Sequence, residues 1–161
     1  MVKAEHISDE ELRCIIPSLS RPDTVPVEVS TNGYDWTQDG VPYSYYDAFV
    51  LGIEPRAGKF GGDTDINVHG YGFANTKDEL KCRFGSEKNP LVCGEDGDCI
   101  FPAEYVDDTL VKCKSPPADS VTYKDSGEPI GKGPVDVEIA VHDDEFTNNG
   151  IQFEYYNEPK L

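Results

Sequence analysis

Residues 25–47 of this chain align without a gap on residues 135–157, an offset of 110 positions. The alignment pairs Val25 with Val135, Val27 with Val137, Glu28 with Glu138, Thr37 with Thr147, Gly40 with Gly150, Tyr45 with Tyr155 and Tyr46 with Tyr156. Its substitutions keep the chemistry, with Trp36 for Phe146, Val41 for Ile151 and Tyr43 for Phe153. A second anchor lies upstream, where LRCIIPS, ending at Ser18, echoes VKCKSPP, ending at Pro117, and a longer linker after Cys113 absorbs the shift. A period of this size is that of one sandwich domain and far exceeds solenoid repeats. The chain is therefore expected to be a piece of a tandem array.

The phase of the repeat sets the expected boundaries. Residues 1–46 read as the C-terminal half of an incomplete repeat, residues 47–157 as a complete domain, and residues 158–161 as the start of the next junction. A half sandwich exposes its core and its strand edges. The missing front half is accordingly expected upstream or in another copy, with the present sequence an excerpt.

A unit of roughly 110 residues can bury its own core. The formal charge of −17 repels phosphate backbones and anionic lipid headgroups, so neither nucleic acid nor direct membrane binding is expected. No apolar run of membrane-spanning length and no leader-type segment occurs, since MVKAEHISDEEL is polar.

The five cysteines are an odd count that the repeat explains. Cys82 and Cys113 flank the middle of the full unit, Cys93 and Cys99 share an insertion, and Cys14 matches Cys113. The partner of Cys14 is then expected in the missing front half. Oxidised pairs are expected in preference to the free thiols of a cytosolic array. Four cysteines allow three connectivities, of which the repeat favours Cys82 with Cys113 and Cys93 with Cys99. No Asn-x-Ser/Thr acceptor occurs.

Local patterning reads as strands throughout. Residues 49–53 form a first strand ended by Pro55 and Gly58. Residues 63–69 alternate, with Thr64, Ile66 and Val68 on one face. Residues 80–84, 100–105 and 110–114 supply three more. In the last pair, Val135, Val137, Ile139 and Val141 alternate with Asp136, Glu138 and His142, then Ile151, Phe153 and Tyr155 with Gln152 and Glu154. Asn148, Asn149 and Gly150 provide turn chemistry between these two. Seven short strands without a helical period predict an all-β, immunoglobulin-like β-sandwich.

The order GGDTDINVHGYGF, LKCRFG, LVKCKSPP, VDVEIAV and FTNNGIQFEYY resembles the IPT/TIG domain, an immunoglobulin-like module also described as filamin-like. The resemblance covers residues 48–157, and its back half recurs from about Ser8 to Asp47. The segment 93–99 departs from the common pattern as an insertion within residues 90–111.

Candidate chemistry is sparse. The stretch 58–62, GKFGG, lacks the Lys-Ser/Thr and helix of a phosphate loop and reads as a turn. His6, His69 and His142 have no second ligand at metal spacing and read as surface residues. No hydrolase motif is present, so no enzyme activity and no catalytic residue are expected. Carboxylates cluster at Asp63/Asp65, at Glu95, Asp96 and Asp98, at Asp107/Asp108 and at Asp143, Asp144 and Glu145, none in EF-hand register. They read as a solvated acidic surface; a structural calcium ion, if any, belongs at Glu95, Asp96 and Asp98 or at a junction, and no cofactor is expected otherwise. Tyr43, Tyr45 and Tyr46, with Phe153, Tyr155 and Tyr156, read as core and junction packing in preference to a sugar-stacking strip.

The resemblance implies a structural or adhesive array of the kind found in surface, ciliary or filament-forming proteins, contacting neighbouring repeats or other copies. An extracellular or cell-surface location is expected, with a cytoskeletal or axonemal one as the alternative. The runner-up function is an accessory carbohydrate- or calcium-binding domain of a larger protein. A DNA-binding IPT role, as in transcription factors, is opposed by the charge.

Overall fold

The computed structural model describes residues 1–17, 19, 23–45, 47–94, 97–142 and 144–157. Ser18, residues 20–22, Tyr46, Glu95, Asp96, Asp143 and residues 158–161 lie outside the described residues, and with them two of the three candidate calcium ligands and the outgoing junction. The chain divides into two compact units, Met1–Tyr45 and Tyr46–Leu161.

The smaller unit consists of two antiparallel hairpins. Strand β1 (Ala4–Ser8) pairs with β2 (Glu11–Cys14), and β3 (Asp23–Val27) pairs with β4 (Val41–Tyr45). Each hairpin is a two-stranded sheet of its own. The loop between β3 and β4 is held by Asn32, whose Oδ1 accepts from the backbone N–H of Tyr34 and of Asp35, both at 2.9 Å, the side-chain-to-backbone turn that suits asparagine.

The larger unit is a sandwich. Its four-stranded sheet has the order β12-β13-β7-β5, from β5 (Phe49–Glu54), β7 (Asp65–Tyr71), β12 (Glu104–Asp107) and β13 (Leu110–Lys114). The five-stranded sheet runs β11-β8-β15-β16-β6, from β6 (Ala57–Lys59), β8 (Lys81–Phe84), β11 (Ile100–Pro102), β15 (Pro134–Ala140) and β16 (Gln152–Tyr156). A small third sheet joins β9 (Leu91–Cys93), β10 (Gly97–Asp98) and β14 (Val121–Tyr123).

Alternation drives the burial. Ile66 and Val68 on β7, Val111 on β13, Cys82 and Phe84 on β8, Val137 and Ile139 on β15 and Phe153 on β16 form one buried cluster. Phe153 meets Phe84 and Tyr155 edge-on, with ring centroids 6.5 and 5.2 Å apart, the arrangement that aromatic quadrupoles favour. The fold is an all-β, immunoglobulin-like sandwich.

Four local expectations are corrected. The predicted turn at residues 58–62 begins as strand: β6 pairs in parallel with β16, Glu154 opposite Ala57 and Tyr156 opposite Lys59. Gly58 permits this approach, because a Cβ there would lie 2.5 Å from Phe153 Cζ. The single strand predicted over 100–105 is two, since β11 pairs with β8 while β12 pairs with β13, and the chain changes sheets at Ala103. The insertion builds the third sheet, with β14 as an additional strand. Residues 148–150 do not make a tight hairpin turn: Thr147 N–H donates to the Ile139 carbonyl at 2.9 Å, and Asn149 Oδ1 accepts from Val50 N–H at 2.8 Å. That last bond ties the loop to β5.

The alternation on β15 is also only half right. Val135, Val137, Ile139 and Val141 are buried as predicted, but Glu138 and Ala140 on the opposite face are buried too.

Candidate interaction surfaces

Two disulfides have the favoured pairing. Cys82 on β8 joins Cys113 on β13 with Cα atoms 6.1 Å apart, tying the five-stranded sheet to the four-stranded one. Cys93 joins Cys99 with Cα atoms 5.0 Å apart, closing the β9-β10 insertion. Cys14 is free and exposed.

Glu138 is accounted for by a cation. Arg83 Nε donates to Glu138 Oε2 at 2.8 Å, its terminal nitrogen donates to the same oxygen, and its guanidinium lies 4.1 Å from the centre of the Phe146 ring. Burial pushes the Glu138 carboxyl above its ordinary range, and the Arg83 hydrogen bonds and charge pull against that. The Tyr155 hydroxyl, also buried, donates to the Pro116 carbonyl at 2.8 Å, and burial raises its pKa. Tyr155 is core as its pattern predicts; the burial of Glu138 does not follow from alternation, and the pairing of Glu28 with Glu138 and of Trp36 with Phe146 across the repeat was its signal.

The same bonds recur in the smaller unit at the repeat positions. The Tyr45 hydroxyl donates to the Pro17 carbonyl at 2.9 Å, as Tyr155 does to Pro116. Val29 N–H donates to Thr37 Oγ1 at 3.0 Å, as Ile139 N–H does to Thr147 Oγ1 at 3.0 Å, and Thr37 N–H returns to the Val29 carbonyl at 3.0 Å. Tyr43 and Tyr45 meet edge-on at 5.2 Å, as Phe153 and Tyr155 do. Register agrees as well: Val25 faces Tyr43 where Val135 faces Phe153. In the first hairpin, His6 faces Leu12 and Ser8 faces Glu11, where Tyr105 faces Val111 and Asp107 faces Leu110, with the same irregularity between the pairs.

Burial separates the two sets. Val27 is 41% exposed against 1% for Val137, Val29 38% against 0% for Ile139, and Leu12 46% against 0% for Val111. Val41, the cross-strand partner of Val27, is exposed with it, so the β3-β4 hairpin presents an open apolar face, and Trp36 is exposed as well. Scattered exposed apolar residues are ordinary, but a face of them marks a contact surface.

Several of the clustered carboxylates are engaged by lysines or by their own turns. Lys114 Nζ lies 3.1 Å from both Asp63 and Asp65, and these partners raise its pKa. Asp98, the described member of the candidate calcium set, is 2.9 Å from Lys124 Nζ. Asp107 accepts from Thr109 N–H and Oγ1 at 2.8 and 2.7 Å, which lowers its pKa. His6 lies 3.9 Å from Asp9, and His142 3.0 Å from Glu79. Among the described residues no cluster of three metal-ligating side chains occurs, and no helix is long and apolar enough to cross a membrane.

A family model described as IPT/TIG domain matches residues 48–155. The chain belongs to the IPT/TIG family. The match spans both sheets of the larger unit and its two disulfides. IPT/TIG domains are non-catalytic, immunoglobulin-like modules of structure and protein–protein contact. No curated protein matches the chain in sequence.

Proposed function

We propose that this chain is a segment of a rod-like tandem IPT/TIG array on a cell or ciliary surface, with residues 1–46 the back half of one domain and residues 47–157 the next. Its work is spacing, mechanical continuity and protein contact. The observation that carries this reading is the recurrence of the Tyr–Pro hydrogen bond, the Thr–backbone pair and the strand register in both units at matching positions. Such bond-for-bond repetition is the signature of a duplicated domain. Two disulfides support an oxidising compartment, because cytosolic glutathione keeps such pairs reduced. The charge of −17 keeps an extended array soluble and monodisperse.

An antibody raised against residues 48–155 tests the reading in the source cells. The array predicts a band many times the 17.8 kDa of this chain, labelling of intact unpermeabilised cells, and blocked thiols at Cys82, Cys93, Cys99 and Cys113 in native material. A band near the mass of the chain itself, or free thiols at all four positions, would overturn it.

A further inference from the structure

The larger unit contains a template for what the open face of the smaller one lacks. In the larger unit β13 pairs with β12 on one side and β7 on the other, β15 with β16 and β8, and β16 also with β6. Their counterparts β2, β3 and β4 each have one partner only among the described residues. Strand β3 ends at Val27, the equivalent of Val137, which is where pairing with β8 begins. The strand stops where its template neighbour is absent, as a ladder must without a second chain to bond.

Three side chains of the smaller unit sit where the template uses a partner. Cys14 occupies the place of Cys113, bonded to Cys82. Glu28 and Trp36 occupy the places of Glu138 and Phe146, which hold Arg83 between carboxylate and ring. Glu28 meanwhile accepts from Gly40 N–H at 2.8 Å and from the Thr37 hydroxyl. A carboxylate has lone pairs for a guanidinium in addition.

Resting on the proposed repeat, we infer that the open face binds one specific occupant: an IPT/TIG front half that runs directly into β1, as β11 runs through Ala103 into β12. One of its strands pairs with residues 27–30, which continue β3, and carries a Cys–Arg–aromatic triplet equivalent to Cys82, Arg83 and Phe84. The cysteine bonds to Cys14, each thiol giving up one proton and one electron, and the two electrons reduce a disulfide-bearing oxidant of a secretory compartment to its dithiol. The arginine bridges Glu28 and Trp36, and the aromatic ring packs towards Tyr43. A second strand adds to β2, with an apolar residue opposite Cys14 in the position Ile66 takes opposite Cys113. Backbone pairing supplies affinity and the triplet supplies register, the division of labour of strand addition.

A fusion placing residues 47–102 directly before Ala4 of the chain supplies such a segment, with Pro102 entering Ala4 as it enters Ala103. Non-reducing peptide mapping should find Cys14 joined to the fused copy of Cys82. Residues 4–45 should become as resistant to trypsin as residues 47–157, which serve as the internal reference in the same molecule. Changing Arg83→Glu in the fused copy alone should lower the melting transition of the completed unit and leave that of the reference unit in place. An alkylatable Cys14 with residues 4–45 cut as readily as in the parent chain would overturn the inference, whether or not the fused segment folds. The unfused chain should sediment as a monomer with Cys14 reactive; a dimer with residues 1–45 protected would assign the face to a second copy and overturn it as well. Neither result touches the array reading, which depends on the mass and surface exposure of the native protein.

Discussion

A buried carboxylate survives in the larger unit because one arginine meets it. Glu138 without Arg83 would leave a buried charge on the outer face of the five-stranded sheet with no counter-ion, and breaking a buried pair from one side costs about 3 kcal/mol. Arg83→Met should therefore lower the denaturant midpoint strongly, and Arg83→Met with Glu138→Leu should recover most of the loss in a double-mutant cycle. Tyr155 carries a pH signature. Its hydroxyl is buried and hydrogen-bonded to Pro116, so its folded pKa lies above the ordinary value near 10. The folded state then holds a proton that the unfolded chain releases. Its contribution to stability is complete below about pH 10 and declines above it, by up to ~1.4 kcal/mol per pH unit until the folded pKa is reached. Chemical denaturation between pH 8 and 11 should reveal the decline, and Tyr155→Phe should flatten it while costing about 1 kcal/mol at neutral pH through the lost hydrogen bond.

Elements are held to one another by the disulfides to different degrees. The Cys82–Cys113 bridge spans 31 positions and ties β8 in one sheet to β13 in the other. Closing a loop of that length removes roughly 3.5 kcal/mol of unfolded-chain entropy. The Cys93–Cys99 bridge spans 6 positions within the insertion and removes roughly 2 kcal/mol. Replacing Cys82 and Cys113 together by alanine should lower the global unfolding free energy by more than replacing Cys93 and Cys99, as read by urea denaturation of each double variant. The longer bridge also joins two layers, so its loss should loosen hydrogen-exchange protection in both sheets, whereas loss of the shorter one should act on β9, β10 and β14.

At the scale of the whole molecule, equivalent residues in the two units should respond differently to the same change. Val137→Asp places an unpaired charge in the core and should cost about 4 kcal/mol in the unfolding of the larger unit. Val27→Asp, on the open face, should leave that transition within about 0.5 kcal/mol, and limited proteolysis should still release residues 1–45 first. Much of this asymmetry was legible in the residues. The alternation on β7, β13, β15 and β16 predicted the core face and the sandwich class, and the 110-position repeat favoured the cysteine pairing. These features are local or self-referential: alternation at period two declares which face is apolar, and a repeated stretch declares its own spacing. What only the tertiary structure decided was partner choice. Residues 100–107 divide between two sheets at Ala103, Ala57–Lys59 joins β16 in parallel, and Glu138 is buried beneath Arg83 and Phe146, each because a segment distant in sequence covers or bonds it. A strand's own residues encode the face it prefers to bury; which neighbour takes its edge, and whether its polar face is covered too, is settled by long-range packing.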